Sequence, residues 1–187
     1  MLGQRKKLSV KLSERLRARG KSGSALLEFA LIAPIFFLLI FAIMEVGIIF
    51  FAQSTLQVGA NDVARMVRTG QVQGQGLTQA QVRQKVCTDI APLIPCDNNL
   101  YVDIEAFSSF NGVNFSNPLD SGKNMNPMNA FQTGNACDVV LVRVFYAWNV
   151  FTPVLTPFLV NVNGNKHLLY SAAAFRNEPF STGMSGC

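Results

Sequence analysis

The sequence predicts an α+β protein in which a long N-terminal transmembrane helix continues into an exported head. The head is predicted to hold a second, short helix and a three- to four-stranded antiparallel sheet. Three observations predict this class: residues 24–52 form one apolar run, residues 53–69 and 78–90 keep apolar side chains at helical spacing, and three later segments are rich in strand-forming residues, the first with clear alternation. Helices followed by strands, without βαβ alternation, favour an α+β arrangement.

The apolar run at residues 24–52 is long enough to cross a membrane. Its 29 residues contain only two charged side chains, Glu28 and Glu45. As a helix the run rises roughly 43 Å, which exceeds the ~30 Å of a hydrocarbon core. A secretory signal peptide is the main competitor, but its apolar region holds only about 7 to 15 residues. We therefore predict a transmembrane helix over residues 24–52.

The charge distribution predicts the orientation of this helix. The 187 residues carry a net charge of +5, which alone would suggest a nucleic-acid binder. Residues 1–23, however, hold eight basic residues against one acidic residue, and the rest of the chain is slightly acidic. Because basic residues flank the cytoplasmic end of a membrane helix, the basic leader 1–23 is predicted to be cytoplasmic, residues 53–187 are predicted to be exported, and no nucleic-acid partner is expected.

Helical patterning continues beyond the membrane. Residues 53–70 are predicted to extend the membrane helix outside the bilayer, with Gly70 as its stop. The polar residues 71–77 suit a linker to the head, which is assigned to residues 71–187. A second helix is predicted to begin at Thr78, since Gln81 stands three positions later as in a capping box.

Three segments of the head favour β-strands. These are residues 101–107, 138–148 and 168–175, which are rich in β-branched and aromatic residues. Between the first two strands, residues 108–135 are rich in Asn, Ser, Gly and Pro, the composition of an exposed loop. The strands most economically pair antiparallel.

The four cysteines all lie in the part of the chain that is predicted to be exported. Disulfides persist in oxidising compartments outside the cytoplasm, so the cysteine positions support export independently of the charges. Four cysteines allow three pairings. We favour the pairing of Cys87 with Cys96, which would join the second helix to the loop after it, and of Cys137 with Cys187.

The sequence offers little for catalysis or metal binding. His167 is the only histidine and follows a predicted turn, where a surface position is expected. Asp103 and Glu105 fall on one side of the first strand, opposite Val102 and Ile104, so a solvated pair is expected on the outer face of the sheet. We predict no enzymatic activity, no metal site and no cofactor.

Glu28 lies in an unusual place, inside the apolar run and five positions after Gly23. A carboxylate at bilayer depth costs about 2.5 to 3.5 kcal/mol, and less near the interface. One interpretation is that Glu28 and Glu45 mark the two membrane boundaries, because 17 residues of helix rise roughly 26 Å. The other is that a partner inside the membrane satisfies the charge of Glu28.

The second interpretation is supported by a resemblance. A basic leader, Gly23, and then Glu28 and Phe29 within an apolar helix resemble the prepilin-peptidase site of type IV pilin-like proteins. Three segments further resemble the TadE-like minor pseudopilins of the Tad (Flp) pilus machinery: SALLEFALIAPIFFLLIFAIMEVG at 24–47, ARMVRTG at 64–70 and FRNEPF at 175–180. The resemblance is specific over about residues 20–70.

The resemblance implies a processed structural subunit with a type IV pilin-like fold. A prepilin peptidase would cut between Gly23 and Ser24, and Glu28 would then pair with the new amine of a neighbouring subunit. Glu45 would similarly face a partner helix. The implied partners are the peptidase, other pseudopilins and pilus subunits, the inner-membrane assembly platform and the lipid bilayer.

The implied role is pilus biogenesis and adhesion, from a single-pass position in the bacterial inner membrane with the head in the periplasm or in an extracellular pilus. Two other functions stay open. An uncleaved, signal-anchored envelope protein with an exported binding domain would need no processing at Gly23. A tethered hydrolytic enzyme would require His167 or the Asp103 and Glu105 pair.

Overall fold

The computed structural model describes residues 2–91, 93–126, 128 and 130–180, and their side chains from residue 23 onward. The chain forms two compact units, one over residues 1–44 and one over residues 45–187. The observed classes of element are those of an α+β protein, as predicted from the sequence.

The N-terminal element is one continuous helix, α1 (Leu2–Arg68). Within the described residues, one helical stretch, Gly23–Arg68, is long and apolar enough to cross a membrane. The helix ends as predicted, because Gly70 adopts a left-handed conformation with φ 73°. Residues with a Cβ rarely adopt this conformation. A Cβ at Gly70 would also lie only 2.3 Å from the ring of Phe180.

Two further helices follow α1. A four-residue helix, α2 (Gln71–Gly74), occupies the start of the segment 71–77 that was predicted to be a polar linker. Helix α3 (Gln79–Ile90) begins at the predicted capping box, in which the Thr78 hydroxyl and the Gln81 side chain satisfy each other's backbone N–H groups.

The sheet has three strands in the order β1-β2-β3, and both neighbouring pairs are antiparallel. Strand β1 (Leu100–Phe107) pairs along β2 (Val139–Asn149), and β2 pairs along its full length with β3 (Lys166–Arg176). A short helix, α4 (Thr156–Leu159), lies in the connection from β2 to β3. The predicted antiparallel sheet is confirmed: β1 is one residue longer than predicted, β2 is shifted by one residue and β3 is three residues longer.

The hydrophobic core of the second unit lies between the helices and one face of the sheet. Helix α1 contributes its buried residues from Ile49 to Val67, and the sheet contributes Val102, Val142 and Val144. The same apolar helix therefore carries exposed side chains along residues 26–51 and then supplies one wall of the head's core.

The long loop at residues 108–135 is more than an exposed connection. Its residues Ala130 and Gln132 hydrogen-bond to both backbone groups of Ile104 along the outer edge of β1. This pairing covers a strand edge that would otherwise expose unpaired N–H and C=O groups. The loop also reaches over the outer face of the sheet, where Leu141 and Arg143 are buried.

Candidate functional site

The predicted processing segment is accessible on the surface of α1. Residues 23–30 are all exposed, and a Cβ built at Gly23 meets no atom within 4 Å. Among the described side chains, none therefore packs against Gly23.

Glu28 is exposed on this segment and has a single polar contact among the described side chains. The Ser24 hydroxyl donates a hydrogen bond to Glu28 Oε1 over 3.1 Å, one helical turn away. The carboxylate therefore lies on the same helix face as Ser24. No described cation lies within ion-pairing distance of it.

Large apolar side chains surround Glu28 and continue along the helix without a covering layer. At least two fifths of each of these side chains is exposed, and Phe29 is 65% exposed. They include Leu26, Leu27, Leu31, Ile32, Ile35, Phe36, Phe37, Leu38, Leu39, Phe41, Ile43 and Met44. In water such a surface would be unfavourable, whereas lipid tails or neighbouring helices would cover it.

Glu45 differs from Glu28 because its own chain satisfies it. Its side chain is buried, and the two carboxylate oxygens accept hydrogen bonds from the backbone N–H groups of Phe151 (2.5 Å) and Thr152 (2.7 Å). Hydrogen bonds to an ionised group contribute about 1.5–3 kcal/mol each. Glu45 was expected to face a partner helix, but it instead holds the loop after β2 against α1.

Asp103 and Glu105 are not the solvated pair that the strand pattern predicted. Arg143, opposite Asp103 in the sheet register, donates to Asp103 Oδ2 from Nε (3.0 Å) and Nη2 (2.6 Å), and Nη2 also contacts Glu105 Oε1 at 2.5 Å. The backbone N–H of Ala130 donates to Asp103 Oδ1. Asp103 and Arg143 are almost fully buried because the loop at 108–135 covers this face of the sheet.

This ion cluster is a structural device of the outer sheet face. Burial raises the pKa of the Glu105 carboxyl, while Arg143 lowers it in part. Arg143 also donates to the backbone and hydroxyl oxygens of Ser116, so its guanidinium joins two strands to the covering loop. Both acids are engaged by the same guanidinium, which does not suit an acid and base working on a substrate.

His167 lies in β3 rather than in the preceding turn. Its Nδ1 is 2.6 Å from the carbonyl oxygen of Leu159, and since a carbonyl only accepts, Nδ1 donates this hydrogen bond. The ring thus connects β3 to helix α4. Among the described residues, no group of three or more His, Cys, Asp and Glu side chains is arranged to hold a metal ion.

The three cysteines in the described part of the chain are disulfide-bonded. Cys87 and Cys96 form a disulfide, with Cα atoms 5.3 Å apart, which joins α3 to the following loop in the favoured pairing. Cys137 is also disulfide-bonded. Its predicted partner, Cys187, lies outside the described residues.

Sequence reasoning missed two contributors to these arrangements. Arg143 stood in the middle of an apolar strand, and that position was the one signal that a buried acid opposes it. The contacts of Glu45 with the Phe151 and Thr152 amides could not be predicted from the sequence. Almost every residue has a backbone N–H, and only the folded structure shows which of these groups reach Glu45.

Comparison with known proteins finds a family match in the N-terminal part of the chain. The family model described as TadE-like protein matches residues 23–65. The match begins at Gly23 and contains both Glu28 and Glu45. No curated protein and no solved structure shows significant similarity to the chain. The TadE-like family is a pilus-associated structural family.

Proposed function

We propose that this chain, TadE-like over residues 23–65, is a non-enzymatic minor pseudopilin that a prepilin peptidase processes and that takes part in Tad (Flp) pilus biogenesis and adhesion. The observation that carries the proposal is the exposed Glu28, five residues after an unobstructed Gly23, on an apolar helix that the family match covers. Its proposed partners are the peptidase, other pilus subunits and the inner-membrane assembly platform.

Processing would remove the basic leader. A membrane peptidase has to bring its catalytic groups close to the scissile backbone, and a glycine without Cβ leaves the most room on one side. Cleavage after Gly23 would take away residues 1–23 with their eight basic side chains and create a positive amine at Ser24. The cytoplasmic side would thus lose the signal that set the orientation of the helix.

Assembly would then use Glu28. Its carboxylate has only the Ser24 hydroxyl as a described polar partner, while the surrounding side chains are apolar. A charge in such surroundings is unfavourable until an opposite charge approaches. Pairing with the Ser24 amine of a neighbouring subunit would remove this cost and set the axial register between two helices.

The head is proposed to lie in the periplasm. The leader's positive charge favours a cytoplasmic N-terminus, and the disulfide between Cys87 and Cys96 is typical of an oxidising compartment. An uncleaved signal-anchored envelope protein would share these two properties, so cleavage at Gly23 is the observation that separates the two functions.

A pair of glycine variants tests the processing step. In cells with an active prepilin peptidase, Gly23→Val is expected to leave the leader attached, because a β-branched side chain obstructs the scissile backbone. Gly47→Val is the matched control, since a Cβ at Gly47 also meets no atom within 4 Å. The measurement is the mass of the membrane-extracted chain under non-reducing conditions, which also reports whether the cysteines are oxidised.

The wild type and Gly47→Val are expected to begin at Ser24, and Gly23→Val is expected to retain residues 1–23. A wild-type chain that retains its leader in these cells contradicts the proposed function and supports the signal-anchored alternative.

A further inference from the structure

The connection from β2 to β3 carries the two most exposed phenylalanines among the described residues. Phe158 is 83% exposed, Phe151 is 74% exposed and Val154 is 45% exposed. We call residues 150–160 the apolar loop. No charged residue occurs between Arg143 and Lys166, so the apolar loop lies in the middle of 22 uncharged residues.

Glu45 fixes the position of the apolar loop along α1. The two hydrogen bonds from Phe151 and Thr152 to its carboxylate place the start of the loop at the level of residue 45 on the helix. A second contact keeps the loop compact, because Asn165 donates from its side chain to the carbonyl of Val150 and accepts the Val150 N–H on its own carbonyl.

The helix at this level belongs to the membrane-spanning run. Residues 24–44 rise roughly 31 Å as a helix, about the thickness of a hydrocarbon core. If residue 24 lies at one boundary of the core, Glu45 lies at the other. If the run is instead immersed as far as Ala52, Glu45 lies roughly 10 Å inside the boundary of the core on the head's side.

The helix side chains just beyond Glu45 are equally apolar. Phe50 and Phe51 are more than 70% exposed, and Ile48 is 43% exposed. These three residues follow Glu45 along α1. The apolar surface of the helix therefore continues beyond the level at which the loop is attached.

From this geometry we propose that the apolar loop inserts into the lipid leaflet on the head's side and forms a second membrane contact of the head. Lipid is the expected occupant because it surrounds α1 at this level, and because an uncharged loop with exposed phenylalanines is suited to the boundary between headgroups and acyl chains. The buried Glu45 carboxylate allows this, since its charge is satisfied by backbone donors. The inference requires only that the run at 24–52 crosses a membrane and does not depend on processing or on pili.

Tryptophan reporters test the insertion in the full chain. The protein contains one tryptophan, Trp148, so the emission of an added tryptophan is obtained by subtracting the wild-type signal. Phe158→Trp is the reporter variant, and it is expected to fold because Phe158 is 83% exposed. The proteins are reconstituted into phosphatidylcholine vesicles with either ordinary or brominated acyl chains, since bromine quenches tryptophan by contact.

Phe110→Trp is the matched control. Phe110 is also exposed and follows β1, whose last residue Phe107 pairs with Val139 at the opposite end of β2 from the apolar loop. The two ends of β2 are ten residues apart, which is roughly 34 Å along a strand. The control therefore places an exposed tryptophan on the same head at a distant position.

We expect brominated lipid to quench the tryptophan at position 158 at least about threefold more than the tryptophan at position 110. Equal quenching at the two positions would overturn the proposal. So would a tryptophan at position 158 that is shielded from aqueous acrylamide but unaffected by brominated lipid, because protein from a second copy would then cover the loop. Phe151→Trp provides an independent repeat of the measurement.

Discussion

At the scale of single residues, three carboxylates show how one chemical group takes different roles in this chain. Glu28 is exposed among apolar side chains, Glu45 is buried against backbone amides, and Asp103 is buried against Arg143. The sequence alone distinguishes them poorly, because each is an acid next to apolar neighbours. What separates them is the kind of partner that the described part of the chain supplies: a hydroxyl one turn away for Glu28, two backbone amides for Glu45 and a guanidinium for Asp103.

The two hydrogen bonds that the Glu45 carboxylate accepts predict how fast the Phe151 and Thr152 amides exchange with solvent. In Glu45→Ala, the Phe151 and Thr152 amides are expected to exchange with deuterium at least about tenfold faster, because a hydrogen bond to a charged group contributes about 1.5–3 kcal/mol and 1.4 kcal/mol corresponds to tenfold. The measurement is hydrogen exchange on the detergent-solubilised chain, resolved to the apolar loop.

Two internal references accompany this measurement. The Val150 amide, which bonds to the Asn165 carbonyl, is expected to change less. Glu28→Ala removes a carboxylate from the other unit and is expected to leave the loop amides unchanged. Unaltered exchange at Phe151 and Thr152 in Glu45→Ala would show that these hydrogen bonds do not protect the two amides.

At the scale of elements, local chemistry predicted the regular structure and non-local contacts determined the rest. The capping box at Thr78, the stop at Gly70 and the apolar strand at 138–148 are short-range signals, and each lies where it was predicted. The loop at 108–135 has no periodic pattern, so its pairing with Ile104 and its cover over Arg143 could not be predicted from composition.

The candidate site divides in the same way. The spacing of Gly23, Ser24 and Glu28 is visible in the sequence and lies on one exposed helix. The partners of Asp103 and Glu45 are 40 and more than 100 residues away in sequence. Processing at Gly23 and Ser24 therefore stays a prediction that rests on this spacing, whereas the expected solvent exposure of the Asp103 and Glu105 pair was wrong, because Arg143 and the loop at 108–135 cover it.

The cap of α3 gives a prediction at this scale. Thr78→Ala is expected to lower the free energy of unfolding by about 1 kcal/mol, because the first turn of α3 loses a hydroxyl acceptor for the Gln81 N–H. Thermal or denaturant unfolding of the solubilised chain, with disulfides intact, measures the change.

Thr88→Ala is the matched control within the same helix. The Thr88 hydroxyl donates to the Gln84 carbonyl one turn earlier and caps nothing. Alanine has the higher helix propensity, so this variant is expected to be neutral or slightly stabilising. Equal losses in the two variants would show that the cap does not contribute.

At the scale of the whole molecule, helix α1 connects two environments. Its exposed apolar surface suits lipid or neighbouring subunits, and its later turns, from Ile49 to Val67, form one wall of the head's core. Within the proposed function, the first part of the helix serves processing and assembly, while the second part packs into the core of the head.

The proposed pairing of Glu28 with a neighbouring amine predicts how substitutions at this position affect the amount of surface pili. Glu28→Gln keeps the size and polarity of the side chain but removes its charge, so the subunit is expected to be cleaved and inserted normally while surface pili are strongly reduced. Glu28→Asp retains a carboxylate and is expected to restore much of the assembly. The amount of pili sheared from cells, compared with the mass of the processed subunit, separates assembly from processing.

Normal piliation in Glu28→Gln would contradict the proposed pairing with a neighbouring amine. Loss of cleavage in the same variant would instead assign Glu28 to recognition by the peptidase.

The shared use of α1 has a practical consequence for making the head as an isolated fragment. A fragment that starts at Gln53, after the apolar run, would lack Ile49 and Ala52 and leave a gap beside the sheet. One that starts at Glu45 would fill the gap and keep the loop attached, but would present Phe50 and Phe51 to water. A soluble fragment is therefore best begun at Glu45 with polar replacements at these two phenylalanines and at Phe151 and Phe158 of the apolar loop, so that purification does not depend on detergent.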